Sequence, residues 1–87
     1  MLRNLKTIYT KAGEHAKALG AVELLLRLEP QSGEDVRDRG LLYAALDCYA
    51  LAMNDLEAYL TLAPGAPEAN EILRKAVELR QKAARLN

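Results

Sequence analysis

The sequence LRLEP at residues 26–30 returns, with two changes, as LTLAP at residues 60–64. In both copies two leucines precede a proline, whose ring disfavours helical conformation at the residue before it. Each copy therefore indicates the end of an apolar helix, where the proline directs the chain outward. The spacing of 34 residues predicts that the chain repeats one structural unit.

The rest of the chain supports this period. Aligned at an offset of 34 residues, the two halves agree at nine of 34 positions, where composition alone gives about three or four. The identical pairs are Arg3/Arg37, Tyr9/Tyr43, Ala16/Ala50, Ala18/Ala52, Glu23/Glu57, Leu26/Leu60, Leu28/Leu62, Pro30/Pro64 and Glu34/Glu68. The chain is therefore predicted to contain two copies of one unit.

Apolar side chains recur at helical spacing throughout, and no segment shows the alternation of a strand. Gly13, Pro30 and Pro64 interrupt the pattern, and Ser32 is placed to cap the helix that follows it. The first predicted helix runs over about three turns from Leu2 to Ala12, and the second follows Glu14 and ends at Pro30. The third starts near Glu34 and runs through Ala44, and the fourth runs through Tyr49 to Leu62 and stops at Pro64. The fifth extends from Glu68 to about Leu86. The fold class is therefore all-α.

A helix–turn–helix unit of this length resembles the tetratricopeptide repeat. The residues that fit its pattern are Tyr9, Gly13, Ala18, Gly40, Tyr43 and Ala52. Small residues among them let paired helices approach to about 8–10 Å. Leu2 and Val36 stand where the repeat often has tryptophan, and Asp47 and Cys48 replace the glycine of the second turn. These departures leave the period intact.

The resemblance implies an α-α superhelix of two helical hairpins plus a C-terminal capping helix, in one domain of residues 1–87. Repeat 1 is expected at residues 1–33, repeat 2 at residues 34–66 and the capping helix at residues 67–87. The residues expected to cover repeat 2 are Ala69, Ile72, Leu73, Ala76 and Val77.

A second apolar stripe on the capping helix favours an alternative, in which two copies of the chain associate through this helix. It alternates spacings of three and four, as a coiled coil does, and consists of Ile72, Ala76, Leu79, Ala83 and Leu86. At the other end, the first helix starts inside an amphipathic pattern with no convincing capping residue. We therefore expect a segment of a longer protein.

Composition argues against several classes of function. Twelve basic and twelve acidic side chains cancel, so no net field draws the chain to nucleic acid or anionic lipid. There is no run of 18 apolar residues, and the first ten residues do not read as a signal peptide. Cys48 is the only cysteine and cannot form an internal disulfide. We expect a cytoplasmic protein that binds neither nucleic acid nor membrane.

The charges nevertheless alternate in sign along the chain. Residues 1–33 carry five basic and three acidic groups, residues 34–66 carry two and six, and residues 67–87 carry five and three. This alternation matters for the fold if each block forms one layer.

Longer phrases point to a narrower family. MLRNLKTIY, LLRLEP, DVRDRGLLYA and DLEAYLTLAPGAPE resemble the C-terminal repeat region of bacterial SirB-type proteins, and the resemblance covers nearly the whole chain. In that family a transglutaminase-like, papain-related domain precedes the repeats and holds the cysteine-type catalytic residues. The resemblance implies a parent protein that is a regulator without a settled substrate.

His15 and Cys48 are the only histidine and cysteine, so a thiol–imidazole pair has to be considered. His15 follows the first turn and Cys48 lies in the second, about one helix-packing distance of 8–10 Å away. Hydrogen-bond reach is only about 3 Å. One histidine, one cysteine and scattered carboxylates also do not form a metal-ligand pattern. We expect no catalytic residue, metal or cofactor.

The concave surface of stacked helical pairs is lined by the first helix of each unit. Its expected partner-binding residues are Arg3, Thr7, Thr10, Lys11, Arg37, Leu41, Ala44, Ala45 and Lys75, with Glu71 and Glu78 beside the last. Arg3 and Arg37 are repeat equivalents, and their planar guanidinium groups suit the carboxylates of an acidic, extended segment. In the alternative interpretation, both form solvated ion pairs with Asp38 and nearby acids.

The sequence thus predicts a non-catalytic interaction or scaffold module whose groove holds a protein or peptide partner. The alternative is an integral part of a transglutaminase-like enzyme or regulator, in which the groove or the open N-terminal face holds an upstream domain. The chain is expected to be a monomer, or a weak homodimer through that face or the capping helix.

Overall fold

The computed structural model describes residues 2–85, which form five α-helices. These are α1 (Leu2–Lys11), α2 (His15–Leu28), α3 (Gly33–Ala45), α4 (Tyr49–Leu62) and α5 (Ala69–Arg85). The predicted all-α class is confirmed, and the five helices lie in the stretches where the apolar spacing predicts them. The predicted end at Leu86 lies outside the described residues.

Each helix packs on the next one along the chain: α1 on α2, α2 on α3, α3 on α4 and α4 on α5. The pairs α1–α2 and α3–α4 are hairpins, and α5 covers the second hairpin. Contacts in chain order are typical of a solenoid, in which each unit is stabilised mainly by its neighbours. The predicted superhelix of two hairpins and a capping helix is confirmed.

The two hairpin turns have the same backbone hydrogen bonds. The amide of Glu14 donates to the carbonyl of Tyr9 at 2.9 Å, and the equivalent amide of Cys48 donates to Tyr43 at 2.8 Å. The residue before each donor is left-handed, with φ of 75° at Gly13 and 61° at Asp47. Asp tolerates this conformation better than most side chains, so the departure from glycine in the second turn leaves the turn intact.

Small residues lie where the two helices of each hairpin pack most closely. Ala18 and Ala52 are repeat equivalents, and neither is exposed to solvent. A Cβ atom built on Gly40 would lie 2.8 Å from Leu56 Cδ2, so only glycine lets α3 approach α4 this closely. The core around these contacts comprises Ala18, Val22, Leu26, Val36, Leu42, Ala52, Leu56, Tyr59, Ile72, Ala76 and Leu79.

The capping helix uses part of the predicted stripe. Ile72, Ala76 and Leu79 are buried, while Leu73 is 52% exposed and Val77 is 48% exposed. Ile72 and Ala76 therefore cover the second hairpin as expected, whereas Leu73 and Val77 border the contact with α4 and are only half covered. Spacings of four and three already place the first three residues along one face, and that face is turned toward α4. Leu79 thus serves internal packing.

Candidate functional site

A groove runs between the first helices of the two hairpins, α1 and α3. It consists of two cavities of about 230 and about 180 Å³, which share Thr10 and Asp38. We call it the first-helix groove, and its lining includes Thr7, Thr10, Lys11, Asp38, Leu41 and Ala45. Residues four apart in a helix share a face, which explains why Thr7 lies beside Lys11 and Leu41 beside Ala45.

The two cavities differ in chemistry. The larger one is bounded by Leu41, Leu42 and Ala45 and by the ring of His15, so its walls are mostly apolar. The smaller one is bounded by Lys6, Lys11 and Asp38, together with the groove threonines. The first-helix groove therefore has an apolar end and an end of mixed charge, where Lys6 pairs with Asp38.

A buried lysine joins α1 to α3 at the base of this groove. Lys6 Nζ donates hydrogen bonds to Asp38 Oδ2 at 2.8 Å and to Asp35 Oδ1 at 3.1 Å. Burial alone lowers the pKa of Lys6, but the hydrogen bonds to Asp38 and Asp35 outweigh it, and the net pKa is raised. The lysine therefore carries its charge in the folded protein.

Asp35 is the fully buried member of the cluster. Burial acts to raise its pKa, but hydrogen bonds from Lys6 and Ser32 overcome that effect, so the net pKa is lowered. Arg3 adds two further hydrogen bonds to the same carboxylate, each 3.2 Å long. These donors favour the ionised form of the buried carboxylate.

The predicted groove arginines form the same ion pair in successive repeats. Arg3 contacts Glu34 at 2.9 Å, and Arg37 contacts Glu68 at 2.7 Å, so both the donors and the acceptors are repeat equivalents. Arg37 also pairs with Asp38 at 2.9 Å. Both arginines are thus occupied by acids of this chain, as the ion-pair interpretation expected.

The nine predicted partner-binding residues fall into three groups. Thr7, Thr10, Lys11, Leu41 and Ala45 line the first-helix groove. Arg3 and Arg37 belong to the ion pairs between repeats. The last two lie elsewhere: Ala44 packs against the core, and Lys75 on α5 pairs with Glu78 at 3.8 Å. Among residues 3–85, Lys11 forms no ion pair.

Sequence reasoning did not assign Lys6, His15 and Asp38 to the groove. Lys6 lies one turn after Arg3 on the same helix, and Asp38 follows Arg37 directly. For Lys6 and Asp38, the signal in the sequence is the charge of the two segments, basic on α1 and acidic at the start of α3. Only the three-dimensional arrangement shows that Lys6 turns inward.

His15 and Cys48 do not form a pair. The thiol of Cys48 is exposed and lies 3.7 Å from the carbonyl of Leu46, and the buried Nδ1 of His15 has no hydrogen-bond partner among the described residues. Across residues 2–85 no three histidine, cysteine or acidic side chains are grouped as metal ligands. Over the same range, no helix has the length and apolar character needed to cross a membrane.

The N-terminal face of the superhelix carries apolar side chains without a cover. Ile8 is 50% exposed, whereas its repeat equivalent Leu42 is 5% exposed. Leu42 is covered because α2 of the preceding hairpin packs on α3. Leu5, one turn before Ile8, is also exposed. None of the residues that the structure describes covers Leu5 or Ile8 as α2 covers Leu42.

These features place the protein in the class of helical-repeat proteins, in which antiparallel hairpins stack, here with a period of 34 residues. The family model described as "Tetratricopeptide repeat" matches residues 5–78. The chain belongs to the tetratricopeptide repeat family.

Several curated bacterial proteins are similar to this chain. "UPF0162 protein YchA" of Escherichia coli (strain K12) is 35% identical over 77 residues, covering 88% of this chain and 28% of the relative. A "UPF0162 protein" of Xylella fastidiosa is 34% identical over 79 residues, covering 91% and 28%. "Protein SirB1" of Salmonella typhimurium is 32% identical over 77 residues, covering 88% and 28%.

The resemblance to SirB-type proteins is therefore confirmed. The chain spans less than a third of the length of these curated relatives. No solved structure shows a significant match to the chain.

Proposed function

We propose that this chain is a non-catalytic module that binds an extended protein segment in the first-helix groove. The observation that carries the proposal is the groove itself, which places an apolar end beside an end that carries Lys11, between α1 and α3. Repeat proteins of this architecture use such concave surfaces for binding. Tetratricopeptide repeats are typically non-catalytic, which supports the same assignment.

Lys11, at one end of the groove, favours an acidic segment with apolar residues. Lys11 has no ion pair among residues 3–85, so it is available to a ligand carboxylate. Arg3 and Arg37 would bind a carboxylate only by releasing Glu34 or Glu68. In this proposal Leu41 and its apolar neighbours hold a side chain of the ligand, while Lys11 selects its charge.

A peptide titration tests this function. The probes are a fluorescent hexapeptide of alternating leucine and glutamate and its leucine–lysine counterpart, measured by fluorescence anisotropy with the 87-residue chain. We expect the acidic probe to bind more tightly, and Lys11→Ala to weaken its binding by about fivefold, the worth of one exposed ion pair. The matched control is Lys17→Ala, because Lys17 lies on α2 and does not line the groove.

Two results would contradict the proposal. One is equal binding of the acidic and basic probes, since the groove would then have no charge preference. The other is equal weakening by Lys11→Ala and Lys17→Ala, since binding would then follow the overall charge of the chain.

A second candidate function concerns the whole protein. The exposed Leu5 and Ile8 occupy a face whose equivalent in the next repeat is covered, and the curated relatives are more than three times as long as their matched segments. We propose as the alternative that this face docks an upstream, transglutaminase-like domain of a cytoplasmic regulator. The occupant would take the place that α2 takes on α3.

This alternative has its own test. Ile8→Glu places a charge on the open face. We expect it to leave the thermal midpoint of the 87-residue chain unchanged within about 2 °C, because the side chain is half exposed there. In the full-length parent it should expose the junction to limited proteolysis. Unchanged proteolysis of the parent would argue against docking on this face.

A further inference from the structure

A second concave site lies at the opposite end of the molecule, where α4 meets α5. It is a cavity of about 320 Å³, which is close to the lower limit for ligand pockets. We call it the α4–α5 pocket, and its lining includes Glu57, Leu60, Leu73, Ala76, Val77 and Arg80. It shares no residue with the first-helix groove, so it goes beyond the function proposed above.

The repeat itself shows what normally fills this position. One repeat earlier, at the junction of α2 and α3, the residues equivalent to Ala76 and Val77 are Leu42 and Tyr43. Both of these larger side chains pack in or against the core. The hydroxyl of Tyr43 lies 3.4 Å from Glu23 Oε1, on the preceding helix. Burial, and then the charge of Glu23, raise the pKa of Tyr43.

The junction of α4 and α5 has the same hydrogen-bond acceptor as the junction of α2 and α3, a glutamate, but lacks the tyrosine donor. Glu57 is the repeat equivalent of Glu23, but Val77 has neither a ring nor a hydroxyl to offer it. Among residues 3–85, the only side chain that pairs with Glu57 is Arg80, at 3.6 Å and on the exposed rim. The shorter side chains of Ala76 and Val77 leave the α4–α5 pocket in the space that a tyrosine fills at the first junction.

We infer that the α4–α5 pocket binds a tyrosine side chain presented by a partner protein. The ring would lie on Leu60, Leu73 and Val77, two of which are about half exposed without it. The phenol hydroxyl would donate to Glu57, as Tyr43 does to Glu23 at the first junction. Tyrosine suits such a site because it combines a large apolar body with one polar end, and it is enriched in interface hot spots.

The lining of the α4–α5 pocket should bind tyrosine more tightly than similar side chains. A phenylalanine would fill the same space but leave the carboxylate of Glu57 without the added hydrogen bond, which is worth a factor of about three to ten in affinity. An aliphatic side chain would cover less of Leu73 and Val77 and lack any contact with the charged rim at Arg80. The expected order of affinity is therefore tyrosine, phenylalanine, leucine.

The experiment is a nuclear magnetic resonance titration of the ¹⁵N-labelled 87-residue chain. The probes are the N-acetyl amides of tyrosine, phenylalanine and leucine, added into the millimolar range. We expect saturable shifts of backbone amide signals in residues 57–61 and 73–80, with tyrosine binding at least about threefold more tightly than phenylalanine. Shifts spread over the whole chain, or equal affinities for the three probes, would overturn the inference.

Two variants test the mechanism. Val77→Tyr supplies the missing ring from the chain itself, and we expect it to abolish the saturable shifts. Glu57→Ala should leave phenylalanine binding unchanged and remove the advantage of tyrosine. The matched control is Glu23→Ala, whose side chain already faces Tyr43 and which should leave binding at the α4–α5 pocket unaltered.

These variants decide the question even if one of them misfolds. Glu57 is exposed, so Glu57→Ala does not depend on the tolerance of the core for a larger side chain. Circular dichroism identifies a misfolded Val77→Tyr protein before titration. Undiminished binding by a folded Val77→Tyr protein, or a tyrosine preference that survives Glu57→Ala, would each refute the inference.

Discussion

Asp35 is the buried charge on which the contact between the two hairpins depends. It receives hydrogen bonds from Arg3 and Lys6 on α1 and from Ser32, the N-cap residue of α3. Removing one partner from such a cluster is costly, because the remaining charges stay buried without compensation. At the residue scale, the most important polar group is therefore one that ordinary rules would place on the surface.

The pKa of Asp35 makes the folded state sensitive to acid. The folded pKa is lowered, so the stabilisation is fully present above the unfolded value of about 3.9 and is lost as pH falls through the folded value. We expect Asp35→Asn to destabilise the chain at pH 7 by about 2 kcal/mol and to flatten the loss of stability below pH of about 4. The measurement is urea unfolding at a series of pH values.

The matched control for this prediction is Glu71→Gln. Glu71 is exposed on α5 and pairs with no cation among residues 3–85. We expect this change to leave both the stability at pH 7 and its pH dependence close to those of the parent chain. If Asp35→Asn behaved in the same way, the buried cluster would not stabilise the hairpin contact.

Two glycines in helices give opposite predictions. At Gly40 an added Cβ would lie 2.8 Å from Leu56 Cδ2 and 3.0 Å from Asp55 Cβ, so Gly40→Ala forces α3 and α4 apart. We expect a loss of about 1–3 kcal/mol in the free energy of unfolding. A Cβ atom added at Gly20 would meet no neighbouring atom within 4 Å. Gly20→Ala should therefore stabilise α2 by about 0.5–1 kcal/mol. Thermal or urea unfolding measures both, and equal effects would contradict this account.

At the scale of single helices, the ends are set by local chemistry rather than by the core. The amide of Asp35 donates to Ser32 Oγ at 3.4 Å, which caps α3 as the sequence predicts. The ends of α2 and α4 are alike: Glu29 donates to Leu25 at 2.9 Å, and its equivalent Ala63 donates to Tyr59 at 2.8 Å. α2 and α4 therefore each end two residues before a proline, with the same backbone hydrogen bond at the cap.

The cap of α3 can be tested by itself. Ser32→Ala removes the acceptor of the Asp35 amide and the hydrogen bond that Ser32 donates to the Asp35 carboxylate. We expect a loss of about 1 kcal/mol in the free energy of unfolding. Ser32→Asp should restore the cap but place a second negative charge beside Asp35, so we expect it to recover only part of the loss. Full recovery would show that the cap alone matters.

At the scale of the whole molecule, successive layers are joined by ion pairs that repeat. The basic α1 meets the acidic start of α3 through Arg3 and Glu34, and Arg37 on α3 pairs with Glu68, just before α5. The first pair follows the alternation of charge along the sequence, whereas the second joins an arginine of the acidic block to a glutamate of the basic block. Because exposed pairs contribute little on their own, the stacking is stabilised mainly by burial of apolar side chains.

The capping helix tests that conclusion directly. Leu79 is 1% exposed and Leu73, on the same helix, is 52% exposed. We expect Leu79→Ala to cost about 2–5 kcal/mol, because a buried leucine leaves a cavity when it is truncated. The control Leu73→Ala should change stability by less than about 1 kcal/mol. Urea unfolding measures both, and similar effects would mean that α5 does not close the core as described.

The sequence by itself determined the class of the molecule. The phrase that ends at Pro30 and returns at Pro64 set the period, and apolar spacing placed the five helices along the chain. Such local signals are readable because turns and helix ends depend on residues close together in the chain. The ion-pair interpretation of Arg3 and Arg37 was also available from the sequence, since the nearby acids are visible there.

Only the tertiary structure decided which faces are used. The sequence favoured Leu73 and Val77 as cover for the second hairpin, but the rotation of α5 against α4 buries Leu79 and leaves those two exposed. From the sequence alone Lys6 is expected on the surface, but in the folded chain it binds two carboxylates of α3. These outcomes depend on how one helix is rotated against the next, and that rotation follows from packing across the whole core, which no single stretch of sequence contains.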